Sequence, residues 1–181
     1  MRGLRLKITL LISTLVVAGC SLQARRNLQE SIKSCQQFAQ SFYSWYVTNA
    51  YKDPHVEPWH VALNYKGNPF SSELTQALIG SDAEAKAEGD PVLDFDPILN
   101  TQDRAERYVV RSVTRKNGHF WANVYGVWST PPSDQGQGPQ VVAELIFRNS
   151  RWFFVNFHYP NHTSPDNENL LSILRYQYRS K

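Results

Sequence analysis

A change of hydrophobic period near the middle of the chain leaves it very few ways to fold. In the first half, aromatic side chains recur at the spacing of one helical face: Phe38, Phe42, Trp45 and Tyr46. In the second half, residues 108–159 contain runs rich in valine and aromatic residues, which are typical of strands. The chain is therefore predicted to be an α+β protein with helices gathered on one face of an antiparallel sheet.

Turn residues divide the second half into four predicted strands, at 108–114, 120–128, 141–147 and 152–159. Asn117-Gly118 is expected to turn the first hairpin, because both residues tolerate the positive φ that a tight turn needs. Asn149-Ser150 is expected to turn the second hairpin. The side chains predicted to alternate inward along the third strand are Val141, Ala143, Leu145 and Phe147.

Cap and stop residues bound the predicted helices. Ser34 is a candidate N-cap of the aromatic helix, and Ser71 or Ser72 opens a second helix. Gly80 is expected to end that second helix. A short C-terminal helix is predicted over 168–178, and its candidate caps are Asp166 and Asn167.

Two stretches that contain proline separate these elements. Residues 51–70 are predicted to be irregular, because each residue before a proline is pushed toward an extended conformation. The alternation of Trp59, Val61 and Leu63 indicates a short extended piece within them. Residues 89–103 form a long acidic connection, and their apolar side chains are expected to hold it against the domain.

The amino-terminal residues have the pattern of a secretory signal. Basic residues precede a largely apolar run at 8–17, which is too short to span hydrocarbon about 30 Å thick. The run ends in Val17-Ala18-Gly19-Cys20, which resembles the lipobox of bacterial lipoproteins. That resemblance implies removal of residues 1–19 and acylation of Cys20, and Ser21 then implies sorting to the outer membrane, facing the periplasm.

The predicted organisation is a signal peptide at 1–19, a lipidated polar tether at 20–33 and a single domain at 34–181. The whole chain has 19 Lys and Arg against 16 Asp and Glu, and residues 1–19 hold three of those bases and no acid. The remainder therefore carries 16 of each, which gives no indication of a nucleic-acid partner.

The chain has two cysteines, and acylation of Cys20 would leave Cys35 as the one free thiol. Neither an internal disulfide nor a cysteine-based metal site is therefore expected. Cys35 is interpreted as a small packing residue beside the aromatic helix, with a reactive thiol or a covalent link to a partner as the alternatives.

Three segments carry a resemblance to a known family: Phe-Tyr-Ser-Trp-Tyr at 42–46, Asp-Pro-Ile-Leu-Asn-Thr-Gln-Asp at 96–103 and Trp-Phe-Phe-Val at 152–155. Over residues 35–178 the chain resembles an uncharacterised family of bacterial envelope lipoproteins with an NTF2-like fold. The resemblance implies a cone in which helices pack inside a curved sheet. It implies no established catalytic residues, and we expect no cofactor.

The Asp-Pro-x-Leu-x-x-Gln-Asp motif is the most specific part of the resemblance, and its candidate functional residues are Asp96, Gln102 and Asp103. Asp96 and Asp103 are candidates for a catalytic pair of carboxylates, although aspartate before proline also commonly starts a turn. Asp94 and His158 are further acid–base candidates, but the position of His158 at a strand end is more typical of a satisfied surface histidine.

The chain contains no motif of a serine-hydrolase elbow, a phosphate-binding loop or a zinc peptidase, and the spacing of His55 and His60 is a weak metal signal. The sequence therefore favours a non-catalytic binding or accessory role, in which the protein docks on another envelope protein or captures a small apolar ligand. One alternative is a small hydrolase or isomerase that uses Asp96 or Asp103. Another is a periplasmic immunity protein that neutralises a toxin.

Overall fold

The structure is a computed structural model that describes residues 3–88, 93–130, 138–160 and 169–179. The chain divides into two compact units, residues 1–34 and residues 35–181. The elements in chain order are α1 (Gly3–Asn49), α2 (Pro58–Ala62), α3 (Ser72–Glu88), β1 (Arg107–Lys116), β2 (His119–Val127), β3 (Val141–Arg148), β4 (Arg151–His158) and α4 (Leu170–Arg179).

The four strands form one antiparallel sheet in the order β1-β2-β3-β4. Asn117 and Gly118 have φ values of 53° and 82°, and Asn149 and Ser150 have φ values of 51° and 59°. Pairs of left-handed residues match the twist of the strands that they join. Both predicted hairpins and the predicted α+β class with four antiparallel strands are therefore confirmed.

The aromatic face of α1 lies in the core of the second unit, as its spacing predicts. Phe42 and Tyr46 have no exposed surface, and the ring centre of Phe42 lies 4.7 Å from that of Phe154 in β4. Cys35 is also buried, and this burial raises the pKa of its thiol to about 12. The interpretation of Cys35 as a packing residue is confirmed, because reactive cysteines have lowered pKa values and exposed sulfur atoms.

Glutamine side chains of α1 occupy the outer edge of β1. Gln40 accepts a hydrogen bond from the Val110 amide at 2.9 Å and donates one to the Tyr108 carbonyl at 2.9 Å. Gln36 donates to the Val110 carbonyl at 2.9 Å. These bonds satisfy backbone groups that an edge strand otherwise leaves open to pairing with another chain.

The opposite edge of the sheet is covered by the segment that leads into α3. The amide of Phe154 donates to the Pro69 carbonyl, and the amide of Ser71 donates to the Phe154 carbonyl, both at 2.8 Å. The Ser71 hydroxyl also accepts from the Leu74 amide at 3.2 Å, so Ser71 caps α3 as predicted.

Two expectations for this region are wrong. Trp59, Val61 and Leu63 do not form an extended piece, because the chain is helical there in α2. Pro58 occupies the first turn of that helix, where its fixed φ favours the helix and its missing N–H removes no hydrogen bond. Gly80 does not end α3, because an interior glycine costs only about 1 kcal/mol and the alanine-rich residues after it favour helix.

In the first unit, the predicted tether at 20–33 is helical. Ser34 does not begin a helix, because α1 already begins at Gly3 and the sequence from 20 to 49 contains no glycine or proline. Cys20 and Ser21 lie on this helix, and their side chains fall outside the described side chains. No helix in the described residues is both long and apolar enough to cross a membrane.

The C-terminal helix α4 begins later than predicted. Asn169 caps it, since its side-chain oxygen accepts from the Ser172 amide at 3.0 Å. The predicted caps Asp166 and Asn167 lie outside the described residues. Leu170 is fully buried, which confirms that the apolar face of this helix packs on the domain.

β3 departs from its predicted alternation next to the turn. Val141, Ala143 and Leu145 are fully buried as expected, but Phe147 is 55% exposed. The Phe147 ring lies 4.9 Å from that of Trp152 across the hairpin. The strand therefore extends beyond the buried layer before it turns.

Replacement of Gln40 by alanine is expected to lower the free energy of unfolding by about 1–3 kcal/mol, because part-buried groups of Tyr108 and Val110 lose their partner. Urea unfolding followed by tryptophan fluorescence measures the change. Gln37→Ala is the matched control, because Gln37 is exposed on the same helix, and we expect a change within about 0.5 kcal/mol. Equal losses in the two variants would contradict the role of Gln40 at the edge.

Candidate functional site

Residues 96–101, here called the Asp96 loop, form a closed turn. The amide of Asp96 donates to the Thr101 carbonyl at 3.0 Å, and the amide of Asn100 donates to the Asp96 carbonyl at 2.7 Å. Asn100 has a φ of 52°, a left-handed conformation that asparagine tolerates better than most residues. The most specific motif of the sequence is therefore a compact local structure.

The Asp96 carboxylate lies inside this loop with 8% of the residue exposed. One oxygen accepts from the amides of Ile98 at 2.8 Å and Leu99 at 3.1 Å. The other oxygen accepts from the hydroxyl of Tyr46 at 2.8 Å and from the hydroxyl of Tyr51. A carboxylate has about four acceptor positions, so each of them meets a donor.

Further contacts fix the Asp96 loop to the rest of the second unit. The hydroxyl of Tyr159 donates to the Pro97 carbonyl at 2.7 Å. The side chains and carbonyls of Asn100 and Gln140 exchange hydrogen bonds at 3.2 and 3.3 Å. The loop thus joins the sheet and the C-terminal end of α1 in one hydrogen-bonded network.

Burial shifts the titration of this network. Burial raises the pKa of Asp96, and the hydrogen bonds from Tyr51, Tyr46 and the two amides oppose that rise. Burial and the negative charge of Asp96 together raise the pKa of Tyr46 and of Tyr51. The tyrosine hydroxyls therefore remain protonated donors well above neutral pH.

The three candidate residues of the motif differ in burial, although Asp96 and Gln102 line one cleft. Asp96 is buried, whereas Gln102 and Asp103 are exposed, and the backbone carbonyl of Asp103 accepts from the Thr101 hydroxyl. The hydrogen bonds of Asp96 go to tyrosines and amides rather than to a second carboxylate. Asp94, the remaining acidic candidate, is exposed.

Tyr51 lines two open clefts beside the Asp96 loop. One cleft of about 550 Å³ also includes Arg104 and Glu106, and the other, of about 420 Å³, also includes Asp94 and Gln102. The Arg104 guanidinium lies 4.5 Å from the centre of the Tyr51 ring, within range of a cation–π interaction. Two candidate residues of the motif, Asp96 and Gln102, therefore line the second cleft, and Asp103 lines neither.

A second polar cluster lies across three strands of the sheet. Glu144 Oε1 is 2.6 Å from His119 Nδ1, and Glu144 Oε2 is 2.9 Å from His158 Nε2. The hydrogen bonds from His158 and His119 lower the pKa of Glu144. The interpretation of His158 as a satisfied histidine is confirmed. The sequence did not predict this cluster, because its three side chains meet only when β2, β3 and β4 pair in this register.

In the described part of the chain, no group of three His, Cys, Asp or Glu side chains is arranged to hold a metal ion. His60 lies 3.3 Å from Asp82 on α3, and His55 is exposed. Among the described residues, neither of these two histidines therefore belongs to a group of three side chains that could hold a metal ion.

The chain has no match among protein-family models, curated proteins or solved structures. A general base needs a free lone pair within reach of the proton that it removes. The carboxylate of Asp96 has its acceptor positions filled by four donors, which is the arrangement of a structural anchor.

Asp96→Asn is expected to lower the free energy of unfolding by about 1.5–3 kcal/mol, because an amide cannot accept from all four donors. Urea unfolding at neutral pH measures this loss. Asp103→Asn is the matched control, and a change within about 0.5 kcal/mol is expected at this exposed position. An Asp96→Asn protein as stable as the control would refute the anchoring role.

Stability is also expected to fall as the pH rises above about 10, where tyrosine ionises in the unfolded chain. Burial raises the pKa of Tyr43 and Tyr159 well above that value and raises the pKa of Tyr108 to about 12. The folded state thus retains protons that the unfolded state has lost, and each such tyrosine contributes a loss of up to about 1.4 kcal/mol per pH unit. Urea midpoints between pH 8 and pH 11 test this, and a flat profile across that range would contradict it.

Proposed function

We propose that this protein is a lipid-anchored protein of the bacterial envelope, held at the outer membrane and facing the periplasm, with a docking role and no catalysis. The observation that carries the proposal is the sequence Val17-Ala18-Gly19-Cys20 after a basic start and a short apolar run. A diacylglyceryl group on Cys20 with a further acyl chain would anchor the protein stably, whereas a single chain binds only marginally. Ser21 in place of aspartate favours the outer membrane.

We also propose that the second unit is an NTF2-like cone. Two register shifts of the kind that a β-bulge produces support this, one between Val110 and Ser112 in the pairing of β1 with β2 and one between Glu144 and Leu145 in the pairing of β3 with β4. A bulge bends its strand and increases the local twist, which favours a curved sheet. The packing of Phe42 against β4 agrees with a helix inside that curve.

A docking role is favoured over catalysis by the state of the carboxylates. Asp96 has its acceptor positions filled and Asp103 is exposed, so a hydrolase or isomerase that uses this pair lacks both a free base and a closed site. Docking is also favoured over capture of a small apolar ligand. Phe42 contacts the rings of Tyr65 and Phe154 in the interior, and the clefts beside Tyr51 are open to solvent.

Expression in a Gram-negative host followed by mass spectrometry of the membrane fraction tests the anchor. The purified protein is expected to begin at Cys20 and to carry a diacylglyceryl adduct, and Cys20→Ser is expected to lack the adduct. Cys35→Ala is the control that keeps the adduct, because Cys35 is buried within the second unit. A protein that retains residues 1–19 without an adduct would overturn the proposal.

The docking role is tested on the same lipidated protein. Recovery from membranes in mild detergent is expected to bring one envelope protein at fixed stoichiometry. Asp103→Arg and Gln102→Arg, which alter the exposed part of the motif, are expected to reduce that recovery without changing the adduct. Recovery of the lipidated protein alone across several detergents would contradict docking.

A further inference from the structure

One end of the sheet carries an exposed group of cations. We call it the basic tip surface, and it consists of Lys66, Arg115, Lys116, Phe147, Arg148 and Arg151. The five cationic residues are exposed, and Phe147 between them is 55% exposed. A single exposed apolar side chain is common on protein surfaces, so the cluster of cations is what distinguishes this surface.

Topology and contacts bring these residues together. The β1–β2 turn and the β3–β4 turn lie at the same end of the sheet, because the strands are antiparallel neighbours in sequence order. The ring of Phe120 beside the first turn lies 4.8 Å from that of Trp152 beside the second. Arg151 donates to the Lys66 carbonyl at 2.8 Å, which places Lys66 at the same end.

The acid that adjoins this surface is Glu144, and its carboxylate is bound by His119 at 2.6 Å and by His158 at 2.9 Å. Residues 61–72, 107–121 and 145–157 include no aspartate or glutamate. Arg115 lies 5.5 Å from the ring centre of Phe120, and its guanidinium remains exposed. The surface is therefore strongly positive, although the chain after residue 19 has equal numbers of acids and bases.

The chain enters the second unit at this same end. Gln36 contacts Val110, whereas Gln40, one turn later, also contacts Tyr108. α1 therefore runs against the direction of β1, and its Cys35 end lies toward the turn that follows β1. The connection that leads back to Cys20 thus joins the second unit on the side of the basic tip surface.

We propose that the basic tip surface docks on an anionic phospholipid leaflet, with Phe147 placed among the headgroups. The orientation of the second unit on the membrane depends on the lipid anchor proposed above. The charge and the exposure of the basic tip surface are independent of that anchor. Each lysine or arginine close to an anionic membrane raises the affinity about fivefold, and an exposed aromatic ring adds an interfacial contact. Such a contact holds the second unit in one orientation against the membrane, with the Tyr51 clefts turned outward.

Two features favour a lipid surface over an acidic protein. The cations are distributed over two hairpin tips and a neighbouring turn around one aromatic ring, which spreads their charge over one end of the sheet. They also lie on the side where the chain leads to the predicted anchor. An acidic protein partner would leave lipid composition without effect in the experiment below.

The test is lysine acetylation of the purified full chain, reconstituted into vesicles of phosphatidylcholine alone or with one-third phosphatidylglycerol. Acetylation of Lys66 and Lys116, read by mass spectrometry, is expected to slow about fivefold or more on the anionic vesicles. Lys52, exposed beyond the far end of α1, is the internal control and should react equally on both. Salt at about 0.5 M should restore the rates, because it screens exposed charges beyond a few ångströms.

Arg148→Glu should remove most of the protection of Lys116, whereas Arg107→Glu, the same change at the opposite end of β1, should not. Equal rates on the two lipid compositions, or equal slowing of Lys52, would overturn the inference. Failure of the anchor would show separately as a missing adduct on Cys20. The comparison between lipid compositions holds with or without that adduct.

Discussion

The aromatic face of α1 joins the two outer strands of the sheet into one core. Phe42 packs on Phe154 of β4, while Gln36 and Gln40 of the same helix satisfy backbone groups of β1. A single element thus supplies the apolar contacts of the interior and the cover of one exposed edge. Removal of apolar area from water stabilises the packing, and the satisfied edge prevents pairing with other chains.

The Asp96 loop is built onto the C-terminal end of that helix. A buried carboxylate is costly unless donors replace the water that it loses, and here two amides and two tyrosine hydroxyls do so. The loop in turn connects to the sheet through Tyr159 and Gln140. A polar network satisfied in this way fixes a unique arrangement, and it holds Gln102 and Asp103 next to a rigid loop.

The proposed functions of the second unit concern its surface. The Tyr51 clefts and the exposed part of the motif lie near the far end of α1, and the basic tip surface lies at the end where the chain enters. A membrane contact at one end and a protein contact near the other would give this small domain two separate roles. The close-packed aromatic rings of the interior keep these two surfaces in a fixed relative position.

Local signals determined much of this architecture from the sequence alone. The spacing of Phe42 and Tyr46, the turn at Asn117-Gly118 and the burial of Cys35 follow from residue type and period, because helices and hairpins depend on neighbours in sequence. The predictions that Gly80 ends a helix and that Ser34 begins one were wrong, because a stop or cap residue acts only where the surrounding sequence also favours a helix end.

Only the tertiary structure shows which groups surround the Asp96 carboxylate. From the sequence, Asp96 is a candidate for either a catalytic residue or a turn starter. Its hydrogen-bond partners Tyr46 and Tyr51 lie 50 and 45 residues earlier in the chain. The cluster of Glu144 with two histidines likewise exists only once three strands are in register. Contacts between distant residues depend on how elements pack, and period and composition do not encode that packing.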